Sequence, residues 1–123
     1  MYFGLSEEQS FFKDNVKKYL EDNASLDQIR KIASNDETSI GKEIHQGFLN
    51  LGVNGLLIPE EFGGLGLDLL FAAVVSESLG ACAGPVPYIA PYVMAPRAIM
   101  AGGSPAQKEN YLTKIASNEI LVG

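Results

Sequence analysis

The chain has 123 residues, enough for one domain with a single core. A hydrophobic content of 46% argues against disorder, and a formal charge of −6 argues against a nucleic-acid partner, whose phosphates need clustered Lys and Arg. One cysteine, Cys82, and one histidine, His45, exclude an intrachain disulfide and a cysteine-built zinc site, and disfavour any other metal centre.

The opening MYFGLSEEQ turns polar and acidic within nine residues, so it is no secretory signal. The most apolar stretch, residues 69–75, stops at Ser76 and Glu77 and is too short to span a bilayer. These features predict a soluble, cytoplasmic chain. Between Lys42 and Arg97 there is no Lys or Arg. Either other protein covers that region's surface, or its two helices are buried in the core.

Three segments open with a capping-box pattern. Ser6 is followed three residues on by Gln9, Ser25 by Gln28 and Ser104 by Gln107. Each precedes helical spacing. Phe12, Val16, Tyr19 and Leu20 share one stripe, Leu26, Ile29 and Ile32 a second, and Tyr111, Leu112 and Ile115 a third. Between the second and third boxes, a helix is predicted over residues 39–51. Ile40, Ile44, Phe48 and Leu51 fall on one face, and Gly52 is suited to the left-handed conformation that closes it.

Next comes the connector IPEEFGGLG, residues 58–66. Its glycines lack the G-x-G-x-x-G spacing and no Lys-Ser/Thr follows, so it is not a phosphate loop. Glu60 and Glu61 are adjacent, which suits a turn better than a catalytic pair sharing a cleft. Asp68 then caps a helix over residues 69–82, apolar nearly all round and expected to be buried.

Residues 84–103 are predicted to form a fifth helix that starts at Pro87 and is bent by Pro91 and Pro96. Pro87, Ala90, Met94 and Ala98 fall on its one face. The closing EILVG reads as the beginning of a strand. The direct prediction is an all-α orthogonal bundle of about six helices.

Little here suggests catalysis. Glu77, in an apolar helix, is either a satisfied or edge-exposed carboxylate or a group facing a cleft. His45 has no triad partners and reads as a surface residue, Cys82 reads as a small buried residue, and Tyr88, Tyr92 and Met94 read as core.

The order LSEEQ, LGVNGLLIPEEFGGLGLD, VVSESLGACAG and AGGSPAQKENYLTKIASNEI resembles the N-terminal helical domain of the acyl-CoA dehydrogenase family, across essentially the whole chain. The PVPY motif is similar to members acting on bulky or branched acyl groups, such as sterol side chains. The resemblance implies that residues 1–123 are the first of three domains, followed by a β-barrel and a four-helix bundle. It implies FAD in the full-length protein, oxidation of acyl-CoA thioesters to 2,3-enoyl thioesters by way of a glutamate base, and electron transfer to an electron-transfer flavoprotein. It also implies a homo- or hetero-oligomer.

Because the chain stops before the middle domain, no catalytic or cofactor-binding residue carries over, and no FAD is expected on this chain alone. The family role that remains is one wall of the acyl pocket, at Pro87, Ala90 and Met94, with Val93 beside them. The alternative is a stand-alone helical interaction module without catalysis, or more remotely a carrier of small apolar ligands.

Overall fold

The computed structural model describes residues 3–34 and 38–123. Three of its helices start by the same device. At α1 (Glu7–Asn23), α2 (Leu26–Ala33) and α6 (Pro105–Ala116), a serine hydroxyl accepts from the glutamine N–H three residues on, and the glutamine side chain accepts from the serine N–H. Two orphan donors are satisfied at each end. The helix between the second and third boxes, α3, runs Thr38–Leu49, and Gly52 beyond it takes φ +82°. Among the described residues every regular element is helical, and the bundle predicted from the sequence is what forms.

Val16 and Leu20 of α1, Ile44 and Phe48 of α3, Val75 of α4 (Leu69–Ala81), and Leu112 and Ile115 of α6 meet in one core. The Tyr19 hydroxyl crosses from α1 to donate to the Ile44 carbonyl at 2.8 Å. Phe12 of α1 meets Phe71 of α4 edge-on, with ring centroids 6.0 Å apart. Helix α2 is peripheral: Ile29 and Ile32 are half-buried, while Leu26 of the same stripe is exposed.

The connector is a turn packed on its own chain. After a short 3-10 turn at Glu60–Phe62, Gly63 and Gly66 adopt positive φ. The chain then doubles back: Leu65, Gly66 and Leu67 donate to the carbonyls of Gly55, Ile58 and Leu56, each at 2.8 Å. Gly64 is required by contact, because a Cβ there would run into the Ile58 carbonyl. Asn54, buried in the run leading to the connector, donates from its side-chain amide to Ile115 and Ala116 carbonyls at the end of α6, at 3.1 and 2.8 Å. The last helix is thereby clamped to the connector.

Four expectations need correction. Helix α4 is not buried all round: Ala72, Val74, Val75 and Leu79 face the core, whereas Leu69 and Leu70 are about half exposed and Ala73 and Gly80 are exposed. An apolar sequence on every side carries no signal of which side packs. The fifth helix begins at Ile89, not Pro87. Val86 precedes a proline, which disfavours helical backbone there, and Tyr88 is anchored outside helical geometry at φ −133° with its ring against Phe48. The tail 119–123 is irregular, with no strand beside it among the described residues to complete a ladder. Cys82 is half-buried rather than buried.

Candidate functional site

Residues 84–102 position the candidate wall. Ile89–Met94 is wound as a π-helix and passes directly into α5 (Ala95–Gly102). The Ala95 N–H donates to the Ala90 carbonyl, five residues back. Neither Pro91 nor Pro96 has an N–H to give, and in α geometry the Pro96 ring would crowd the carbonyl four residues earlier. The wider turn relieves that crowding. The two prolines are also buried, so they fix the segment against the core.

Of the expected wall residues, Ala90 and Met94 are exposed on the π-helix, with Met94 62% exposed, and Ala98 of α5 is exposed one turn on. Met94 therefore does not belong to the core. Val93 is half-buried and packs against the core cluster. Pro87 is exposed too, but lies before the helix and not on its face. Beside this segment runs an open groove of about 450 Å³, whose lining includes Leu79, Gly80, Ala83, Val86 and Ile89. Ala83 sits there at φ +50°, a conformation that a residue with a Cβ seldom adopts.

Behind the wall lies an aromatic layer. Tyr88 and Tyr92 are both buried, with ring centroids 6.2 Å apart. The Tyr92 hydroxyl meets His45 Nε2 at 3.0 Å, so His45 is half-buried and partnered, not a free surface residue. Burial lowers the His45 pKa and raises those of Tyr88 and Tyr92. The Tyr88 hydroxyl is buried with no hydrogen-bond partner among the described residues. Nothing local in the sequence announces the His45–Tyr92 pair, because its members are 47 residues apart.

The acids do not converge. Glu77 reaches out to Lys13 at 3.0 Å and is 65% exposed, an edge carboxylate in an ion pair of small energetic weight. Glu60 and Glu61 are exposed on the connector, in its short 3-10 turn. Among the described residues no three His, Cys, Asp or Glu side chains gather to hold a metal, and no helix is long and apolar enough to cross a membrane. The connector glycines pack on their own backbone instead of opening a cradle for phosphates, so these residues do not build a flavin dinucleotide site.

Among the described residues the chain is an all-helical bundle with an apolar exposed segment at Ile89–Met94. Residues 6–119 match the family model described as "Acyl-CoA dehydrogenase, N-terminal domain", and the chain belongs to that family. It is 32% identical over 120 residues to the mitochondrial isovaleryl-CoA dehydrogenase of Bos taurus, and 36% identical over 124 residues to the (2S)-methylsuccinyl-CoA dehydrogenase of Cereibacter sphaeroides. Each alignment covers 96% of this chain, but only 28% and 21% of those proteins.

Among solved structures, it superposes with a TM-score of 0.74 and 26% identity on a chain described under "Electron transferring flavoprotein of Acidaminococcus fermentans". That match covers 98% of this chain and 32% of the other. The ChsE4-ChsE5 complex from Mycobacterium tuberculosis shares the fold, with a TM-score of 0.72 at 21% identity over 98% of this chain and 30% of that one.

Proposed function

We propose that this chain is the N-terminal helical domain of a flavin-dependent acyl-CoA dehydrogenase, and that the exposed side of residues 87–94 forms one wall of its acyl pocket. The observation that carries the reading is the pairing of Ala90 and Met94, apolar and exposed, on a π-helix with one buried proline, Pro91, within it and a second, Pro96, just beyond it in α5. π-Helical turns recur at functional sites because they re-aim side chains. An exposed apolar wall next to an apolar groove suits a chain of methylenes and methyls.

The wall's part in the reaction is to hold the acyl group and keep water out. FAD, which accepts the hydride in such enzymes, and the carboxylate base belong to parts of the protein other than these residues. Isovaleryl-CoA and (2S)-methylsuccinyl-CoA, named for the two relatives, both carry a methyl branch, and we assign short branched acyl thioesters as the substrate class. The small side chain of Ala90 leaves width for a branch. By itself the domain is inactive, and the full-length protein works as an oligomer that passes electrons to an electron-transfer flavoprotein.

The test places Ala90→Trp in the protein expressed from the complete gene. Activity on branched acyl-CoA should fall at least tenfold relative to activity on a straight short chain, about 1.4 kcal/mol of lost transition-state binding, with the flavin spectrum unchanged. An unaltered preference rejects the wall. Yellow flavin copurifying with the 123-residue chain alone would reject the division of labour.

A further inference from the structure

We propose that Asn54–Gly55 is a modification site: the end of α6 holds it shut, and deamidation there marks a domain that has opened. It is the single Asn-Gly step of the sequence. Asparagine is chemically labile, and a following glycine has no Cβ to hinder attack by its own backbone nitrogen. The reaction balances without any redox partner. The Gly55 nitrogen attacks Asn54 Cγ, a C–N bond forms, and Nδ2 leaves as ammonia with the proton of the Gly55 N–H. Water then opens the five-membered imide. Opening at Cγ leaves aspartate, and opening at the Asn54 backbone carbonyl leaves isoaspartate, with the main chain rerouted through the side chain.

Three features hold the reaction off in the fold. Asn54 is only 5% exposed, which limits access of water. Its Nδ2, the leaving group, donates to the Ile115 and Ala116 carbonyls at 3.1 and 2.8 Å, so the side chain is held toward α6. The attacking nitrogen is engaged as well: the Gly55 N–H donates to the Gly52 carbonyl at 3.2 Å, within the 3-10 turn Val53–Gly55. Ring closure needs that bond broken and the amide turned back onto its own backbone. Local opening of the α6 end frees the amide to do so. The product cannot close again in the same way. An amide gives two donors to two carbonyls, whereas a carboxylate has only acceptors. Re-burying it there would set a charge against the Ile115 and Ala116 oxygens. Isoaspartate adds a backbone methylene just before Gly55, whose carbonyl accepts from the Leu65 N–H at 2.8 Å and seats the connector. A domain that opens long enough to react therefore stays loosened where the connector meets α6. The site is independent of flavin chemistry and of the acyl wall.

The experiment incubates the protein expressed from the complete gene in mildly alkaline buffer and follows residue 54 by peptide mass mapping. Deamidation at Asn54 should run at least about tenfold slower in native buffer than in unfolding urea. In sub-denaturing urea it should accelerate in step with hydrogen exchange at the last amides of α6. Gly55→Ala places its Cβ 3.4 Å from the Gly64 Cα, an ordinary contact, so circular dichroism should be unchanged. In unfolding urea that variant should react at least about tenfold more slowly than the natural chain. The natural protein aged in sub-denaturing urea and returned to buffer should keep faster exchange at the end of α6. Gly55→Ala aged in the same way should not, and Asn54→Asp should reproduce the aged state without ageing. Equal rates in native buffer and in unfolding urea overturn the proposal. So does an unfolded chain whose Asn54 reacts no faster than its other asparagines, or an aged protein with α6 exchange fully restored.

Discussion

His45 Nε2 and the Tyr92 hydroxyl lie 3.0 Å apart and join α3 to the π-helix across the edge of the core. The bond fixes the rotation of the π-helix, and with it the direction in which Ala90 and Met94 face. It also couples that rotation to a titrating group. Burial lowers the His45 pKa below its ordinary 6.5, so the folded state disfavours the imidazolium.

The first prediction follows from this sign. Below pH 6.5 the unfolded chain takes up a proton that the folded chain resists, so the stability contribution is present above 6.5 and is lost as pH falls through the lower, folded value. Thermal unfolding followed between about pH 7.5 and pH 5.5 should show Tm falling on the acid side, above the range where carboxylates titrate. His45→Gln should flatten that slope. An equal slope in the variant would reject His45 as its source.

A second prediction contrasts the two buried tyrosines. Tyr92→Phe removes a hydroxyl that is hydrogen-bonded and should cost about 1 kcal/mol in urea unfolding. Tyr88→Phe removes one that has no partner among the described residues, and should be neutral or slightly stabilising. A larger loss at Tyr88 than at Tyr92 would mean that its hydroxyl is satisfied after all.

Two glycines should respond with opposite signs. Gly64→Ala forces a methyl into the Ile58 carbonyl and should destabilise by roughly 2 kcal/mol or more, because backbone must move. Gly80 lies in α4 with nothing within 4 Å of an added Cβ. Gly80→Ala should therefore stabilise by about 0.5–1 kcal/mol through helix propensity alone. Chemical denaturation of both variants would settle the pair, and a stabilised Gly64→Ala would refute the close packing of the turn.

The capping boxes should be separable. Ser104→Ala removes the acceptor of the Gln107 N–H at 3.2 Å and should cost about 1 kcal/mol. Ser25→Ala, on the peripheral α2, should fray that helix with a smaller effect on global unfolding. Hydrogen exchange at α2 amides, measured beside global Tm, distinguishes local from global loss.

The elements whose signals are local were legible in the sequence. Capping boxes act over three residues, and the stripes of α1 and α6 repeat over a few turns, so the sequence displays both directly. What escaped was set by distant partners. The exposed side of α4 depends on where α1 packs, and its own composition is apolar nearly all round. The prolines announced a bend but not that one turn would widen to a π-helix. Arg97 was visible only as the end of a run without cations; its place in the lining of a groove beside the connector needed the folded chain.

The clamp made by Asn54 has a consequence for synthesis. Its amide is buried and is satisfied only by carbonyls 61 and 62 residues farther along. Until α6 emerges from the ribosome, closing the connector would strip water from this amide with no carbonyl to replace it, so the first half of the chain gains little by closing early. A product interrupted before about residue 115 should therefore be handed to chaperones or proteases as an open chain instead of accumulating as a folded domain.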